Sequence, residues 1–200
     1  MAGFMLSFPS FLLAVRQGAV AAFPTDTVPA LAVIPPHRDR IYQLKQRDPH
    51  KPLILMAATA AALADYVDFD RFPRSRWETE VVPHWPGPVT FVLPANGHGQ
   101  ACNPGHDTLG LRIPNHPVAL SVLQQTGPLL TTSANRSGEP PLRSWPEIQR
   151  AFPEVILGTA ADPGSGQPST VVAWRGDRWE TLRTGAFSWR ALSPDANGLK

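Results

Sequence analysis

The chain has 200 residues, 42% hydrophobic and 17% charged, with a formal net charge of +2, which excludes a largely disordered protein and fits one medium domain with a real core. Its single cysteine, Cys102, excludes an intramolecular disulfide framework and a multi-cysteine metal site. No stretch approaches the roughly 20 apolar residues of a membrane span. The apolar start is broken by Pro9 and Ser10 and has no cationic segment before it, a poor signal peptide, so a cytoplasmic protein is expected. Proline, at 23 residues, is about twice its usual share of about 5% and spread without a repeat, which reads as rigid loops between short elements.

Taken in chain order, residues 9–17 read as a helix closed by Gly18, and 19–23 as a buried strand ending at Pro24. A helix over 38–45 follows, because Ile41, Tyr42 and Leu44 share one broad face and Asp48-Pro49 opposes continuation, which leaves Lys45 and Arg47 at its frayed end. Residues 52–56 predict a short strand, and 59–66 a helix with Thr59 at its N-cap. A helix over 74–82 stops at Trp85-Pro86-Gly87-Pro88. Strands are expected at 89–93, 109–113, 129–132 and 170–174, with a helix at 117–125 capped by Gly127. A hairpin through Trp174-Arg175-Gly176-Asp177-Arg178-Trp179 leads to a last strand ending at Arg183. The mixture implies an α/β fold with a mixed sheet; beyond Phe187 the pattern is lost, and 188–200 reads as a tail.

The segment Leu129-Leu130-Thr131-Thr132-Ser133-Ala134-Asn135-Arg136-Ser137-Gly138 ends an apolar run in hydroxyls and an amide. Strand alternation puts Thr131, Ser133 and Asn135 on one face, which suits a polar ligand; an ordinary Ser/Asn/Gly turn is the competing reading. Three further segments accompany it: Phe23-Pro24-Thr25-Asp26-Thr27, Leu44-Lys45-Gln46-Arg47 and Trp85-Pro86-Gly87-Pro88-Val89-Thr90. With Thr108-Leu109-Gly110-Leu111-Arg112-Ile113-Pro114, Pro168-Ser169-Thr170-Val171-Val172 and Leu182-Arg183-Thr184-Gly185, this ordered set resembles the YrdC-type L-threonylcarbamoyladenylate synthases over about residues 8–187.

The resemblance implies one YrdC-like domain over 1–200: a twisted mixed β-sheet flanked by helices, with a concave basic ligand cleft. It implies a nucleotidyltransferase that makes threonylcarbamoyl-AMP and pyrophosphate from L-threonine, bicarbonate and ATP, with Mg²⁺ on the phosphates. The product would serve modification of adenosine 37 in tRNA through a downstream threonylcarbamoyl-transferase complex. Gathering several anions requires cations and donor dipoles. By the resemblance Lys45 and Arg47, followed by Lys51, form the polyphosphate clamp, with Ser133 and Asn135 on the phosphates. Thr108 and Arg183 contact the nucleotide, Arg112 pairs with the threonine carboxylate, Thr27 contacts the amino acid, and Thr131 and Ser169 touch ATP or threonine. Asp26 is read either as a ligand for the ammonium or a metal or as a turn-forming aspartate. Catalysis would come from alignment and preorganised charge, with no covalent protein intermediate.

Several residues depart from the family pattern. Ala30 and Ala32 stand where many relatives have glycines, and Pro29 where they have an aromatic, which predicts an altered backbone approach to ligand. Asp48 follows Arg47 and is expected to compete with phosphate for it, Met56 takes the place of a family histidine, and Pro141 that of a serine. The six histidines are expected at the surface and Cys102 to be structural. The alternative function is binding of double-stranded RNA or tRNA without chemistry, marked by steep salt dependence and indifference to ATP and threonine. A carbamoyl-adenylate activity in hydrogenase maturation lacks its companion segments.

Overall fold

A computed structural model of the chain, in which residues 6–158 and 162–189 are described, is built on a nine-stranded mixed sheet. Helix α1 (Phe8–Arg16) starts where the Ser7 side chain accepts from the Ser10 N–H, and it buries Phe11, Leu12 and Val15. Gly18 ends it at φ +87, where a Cβ would lie 2.5 Å from the His37 ring. Strands β1 (Ala21–Phe23) and β2 (Ala30–Val33) pair antiparallel around the turn that contains Thr25-Asp26-Thr27. Helix α2 (Asp39–Lys45) stops at Gln46, which adopts a left-handed φ of 48. Strand β3 (Ile54–Met56) leads to α3 (Ala60–Ala64), capped by Thr59 as expected, and then to α4 (Arg74–Arg76), which continues as a π-helical turn over Trp77–Val81.

Strand β4 (Val89–Pro94) precedes α5 (Gly97–Cys102), β5 (Thr108–Arg112), α6 (Pro117–Thr126) and β6 (Leu129–Ser133). Helix α7 (Trp145–Ala151) opens with Ser144 accepting from the Glu147 N–H, and the chain finishes with β7 (Ile156–Leu157) and the hairpin of β8 (Thr170–Trp174) and β9 (Trp179–Arg183). The sheet order is β7-β1-β2-β6-β3-β5-β4-β8-β9, with parallel pairs β1/β7, β3/β5 and β4/β8.

Four elements were not expected. In β2 the run Ala30-Leu31-Ala32-Val33 follows a proline and is too short to show a period, yet all four residues are buried. In α5 two glycines lower helix propensity, and Gly99 is required by the close approach of Tyr66, whose carbonyl oxygen would be 2.5 Å from a Cβ there. Helix α7 has seven residues with Pro146 in its first turn, and β7 has two. The proposed tail at 188–200 falls mostly outside the described residues, but Trp189 still packs: its ring lies 5.2 Å from Phe91 and 5.0 Å from His84.

Alternation along the strands divides the apolar residues between two cores. One face carries Leu31, Val33, Leu55, Leu130, Phe91, Leu111 and Val172 against the helices other than α1 and α6. The other carries Ala30, Ala32, Met56 and Leu129 against Phe11, Leu12 and Val15 of α1 and Ala119, Val122 and Leu123 of α6. These two helices cover one side of that face, over β1, β2, β6 and the Met56 end of β3. Among the described residues no helix is long and apolar enough to cross a membrane.

Candidate active site

Beyond α1 and α6 the same face of the sheet opens into a cleft of about 590 Å³, within the range of small-molecule sites. Its floor follows from strand register. Val92 of β4 pairs with Gly110 of β5, Gly110 with Ile54 of β3, and Ile54 with Thr131 of β6. A Cβ on Gly110 would touch Ile54 Cγ1 at 3.4 Å and Thr90 Cγ2 at 3.5 Å, so this glycine keeps the floor low. Thr131 donates its hydroxyl to the Ile54 carbonyl at 2.9 Å and offers the cleft an oxygen lone pair. Because β5 runs parallel and β6 antiparallel to β3, Arg112 and Ser133 mark opposite ends of the floor. Four residues of strand rise separate them, roughly 13 Å.

At the first end Arg112 is 3% exposed and held on three sides. Its Nε donates to the Gly87 carbonyl at 3.2 Å, Nη1 to Thr27 Oγ1 at 2.9 Å, and Nη2 to Asp26 Oδ1 at 2.6 Å. Burial pulls its pKa below the arginine norm, and the charge of Asp26 pushes it back up. The turn that supplies Asp26 and Thr27 is itself tied down: Thr25 Oγ1 accepts from the Thr27 N–H and donates to the Val28 carbonyl, while the Ser165 and Gly166 N–H groups donate to the carbonyls of Asp26 and Thr27. Gly87, in the Trp-Pro-Gly-Pro turn, has no room for a side chain, since a Cβ would lie 2.7 Å from the His84 carbonyl oxygen. Asp26 is therefore the ion-pair partner of Arg112, and its Oδ2 is buried without a partner.

Of Lys45, Arg47, Ser133 and Asn135, three line the cleft at the other end and Lys45 does not. Arg47 Nη2 donates to the Pro52 carbonyl at 3.0 Å, its Nε is buried without a partner, and burial lowers its pKa. Lys45 is not at a frayed end and does not line the cleft. Left-handed Gln46 ends the helix abruptly, and Lys45, 1% exposed, runs under the turn after β6. Its Nζ donates to the Ser133 carbonyl at 2.5 Å, to Asn135 Oδ1 at 3.2 Å and to Thr132 Oγ1 at 3.3 Å. Burial first, and Arg47 second, bring its pKa down to about 7. Asn135 lines the cleft, but its amide is engaged, donating to the carbonyls of Arg136 at 2.8 Å and Glu139 at 2.6 Å.

Thr27, Thr108, Ser169 and Arg183 also line the cleft. Arg183 Nε and Nη2 donate to the Ser169 carbonyl at 3.0 and 2.8 Å, and Ser169 Oγ lies 3.0 Å from Thr90 Oγ1. Lys51 is not brought in: the loop folds back through a Lys51 N–H to Asp48 carbonyl bond, leaving the lysine exposed. Asp48 does not pair with Arg47 either, because its Oδ1 accepts from the His50 N–H at 2.9 Å. Ala30 and Ala32 sit in regular strand opposite Ser133 and Thr131, a backbone that needs no glycine. Cys102 is buried, with its thiol pushed up to about 11 by that burial, as fits a structural role.

The cleft also holds residues that sequence reasoning missed: Thr90, His106, Glu139, Arg175 and Leu182. Thr90 was visible in the Trp-Pro-Gly-Pro-Val-Thr motif and Leu182 in the Leu-Arg-Thr-Gly motif. The others come from loops and an edge hairpin whose approach to the cleft no local pattern shows. Of the histidines expected at the surface, His84 instead packs among Phe91, Phe187 and Trp189, where burial lowers its pKa, while His106, half-buried at the cleft rim, contacts the His50 carbonyl at 2.9 Å.

A sequence model of the Sua5/yciO/yrdC family, described as telomere recombination, matches residues 13–185. A Chromohalobacter salexigens protein named threonylcarbamoyl-AMP synthase is 37% identical over 165 residues, 79% of this chain and 87% of its own length. The Klebsiella pneumoniae protein of the same name is 38% identical over 163 residues, 78% of this chain and 85% of its own. Among solved structures, P. abyssi Sua5 complexed with L-threonine matches with a TM-score of 0.80 and 27% identity over 90% of this chain, which spans 55% of that protein. E. coli YciO shares the fold, with a TM-score of 0.74 and 24% identity over 90% of each chain. The ordered motifs, the mixed sheet that gathers them into one cleft and these relatives together make the chain a member of the Sua5/YciO/YrdC family.

Proposed function

We propose that this chain is a threonylcarbamoyl-AMP synthase, acting as one domain on L-threonine, bicarbonate and ATP. The observation that carries the reading is the pair of arginines on one floor: Arg112 fixed at one end and Arg47 with Ser133 at the other. Arg112 has donors beyond those it spends on Asp26, Thr27 and Gly87, and these receive the threonine carboxylate beside Thr27. Arg47, with its unpartnered Nε, receives phosphate together with Ser133; Thr108, Arg183, Ser169 and Thr131 complete the contacts to nucleotide and amino acid. Between the two ends the threonine amine captures bicarbonate with loss of water. The carbamate oxygen then attacks the α-phosphorus, and pyrophosphate leaves. No protein nucleophile is required, and alignment of carbamate and phosphate supplies most of the acceleration.

The donor set fits magnesium carried on phosphate oxygens and water. Glu139 is the single carboxylate among the described lining residues, and no group of three or more acidic, histidine or cysteine side chains suited to a metal occurs among the described residues. Glu139 and the Ser133 hydroxyl are the groups that would reach such an ion, whose part is to offset phosphate charge. The product then passes to a transfer complex that modifies adenosine 37 of tRNA in the cytoplasm.

The test is incubation with ATP, Mg²⁺, bicarbonate and ¹⁴C-labelled L-threonine. Labelled threonylcarbamoyl-AMP with equimolar pyrophosphate is expected, falling by at least about 100-fold in Arg47→Ala, about 2.7 kcal/mol of lost transition-state binding. Absence of product from the folded protein overturns the reading and leaves RNA binding as the function to test.

A further inference from the structure

At the level of Arg112 the cleft floor changes character from one strand to the next. Met56 of β3 is in parallel register with Arg112 of β5 and in antiparallel register with Leu129 of β6. These three side chains therefore stand in one row on the same face, with about 4.8 Å between neighbouring strands. Thr90 of β4 stands on the other flank of Arg112, one step on from the Phe91–Leu111 pair, and its Cγ2 is 3.5 Å from where a Cβ on Gly110 would lie. That flank is polar: Thr90 Oγ1 lies 3.0 Å from Ser169 Oγ, which accepts from Arg183 Nη2 at 3.1 Å. The flank at Met56 is apolar. Met56 is 4% exposed and belongs to the core covered by α1 and α6, with Leu129, Ala119 and Val122, yet it also lines the cleft. Its thioether is a weak acceptor at best and adapts its shape to an apolar neighbour.

We propose that Met56 is a specificity-determining residue for the amino-acid side chain: it packs against the β-methyl group of threonine, while the Thr90 and Ser169 pair faces the β-hydroxyl. This rests on the reading that Arg112 holds the amino-acid carboxylate. With the carboxylate anchored between the two flanks, the two substituents on the β-carbon are read separately. Threonine presents a methyl group to one flank and a hydroxyl to the other. Serine leaves the Met56 flank empty. L-allo-threonine, with the opposite configuration at the β-carbon, turns its hydroxyl onto the thioether and its methyl group onto Thr90 and Ser169. One carbon more or less in an apolar pocket changes binding by about 10- to 200-fold, so threonine binds at least about tenfold more tightly than either analogue.

The experiment is calorimetric titration of the full chain with L-threonine, L-serine and L-allo-threonine, with Mg²⁺ and a non-hydrolysable ATP analogue present throughout, in the wild type, Met56→Ala and Met56→Leu. The wild type prefers threonine by at least about tenfold, and Met56→Ala lowers affinity for threonine by about that factor while leaving affinity for serine unchanged. A merely structural role would lower both alike. Met56→Leu, apolar and of similar volume, keeps the preference. Met56→Val, a milder truncation, replaces the alanine variant should that one fail to fold, and lowers the preference part of the way. Equal affinity for threonine and serine in the wild type overturns the inference and leaves the Arg112 reading intact, because the carboxylate still binds. A preference that persists undiminished in the truncated variant belongs to another residue and also overturns it. Failure of all three amino acids to bind removes the Arg112 reading and this inference together.

Discussion

The covered and open halves of one sheet face differ less in their strands than in what lies above them. On β6, Leu129 and Thr131 point the same way, two residues apart; Leu129 is packed under α1 and α6, and Thr131 forms the cleft floor. On β2, Ala32 is core and Ala30 is both core and cleft wall. Under the helices, packing alone sets stability, and small residues let the helices come close. In the open half polar groups hold one another, as in the Arg112, Asp26 and Thr27 set, while Asp26 Oδ2 and Arg47 Nε stay unpartnered, so stability and ligand recognition are carried by the same residues. The division between core and site is drawn by where two helices end.

Substitutions on either side of that line test it. The largest effect is expected from Arg112→Met, which strands the buried Asp26 carboxylate: about 3–5 kcal/mol of stability and all threonine-dependent product are lost. Adding Asp26→Asn returns part of the stability and none of the product, measured by urea denaturation and the labelled-threonine assay. Phe11→Ala, in α1 and fully buried, costs a similar 3–5 kcal/mol or so, yet the affinity of the folded protein for MgATP is unchanged; a change in affinity would break the comparison. Gly110→Leu does the reverse. Its side chain enters the open cleft, so stability changes by no more than about 1–3 kcal/mol while MgATP affinity falls by about tenfold or more, about 1.4 kcal/mol.

Lys45→Met gives a smaller, pH-dependent signature. Unfolded, Lys45 binds its proton below about 10.5; folded, it does so below about 7. Over that window the unfolded chain holds more protons, so the wild type gains stability relative to the variant as pH rises from 7 toward 10. Paired denaturation curves at pH 7 and 9 measure the difference, and parallel curves would refute it. The smallest change is Ala30→Gly, expected to cost about 0.5–1 kcal/mol through backbone entropy and to leave MgATP affinity unaltered, because the strand there needs no glycine.

Much of this was legible in the amino-acid order. The caps at Thr59 and Gly127, the strands that end at Arg112 and Arg183 and the β8/β9 hairpin all announce themselves locally, because capping, turn chemistry and two-residue alternation act over a few residues. Asp48 acts on Arg47 through its charge without pairing with it, because the aspartate closes its own turn on the His50 N–H. Helix α5 was illegible because one of its two glycines, Gly99, answers to Tyr66, a residue 33 positions earlier. His106, Arg175 and Leu182 reach the cleft through loop and hairpin placement, which depends on contacts far apart in sequence.

By itself, then, the sequence determined the α/β class, the order of most strands along the chain and the roster of chemical groups, since propensity, periodicity and motif chemistry are short-range properties. Tertiary structure alone decided the assignment of those groups. It turned Asp26 toward Arg112, kept Lys51 in solvent, sent Lys45, expected at a frayed helix end, beneath the turn after β6 and left Arg47 lining the cleft. The physical reason is that burial and ion pairing depend on which strands become neighbours and where α1 and α6 stop, and both are settled only when the whole sheet closes on its two cores.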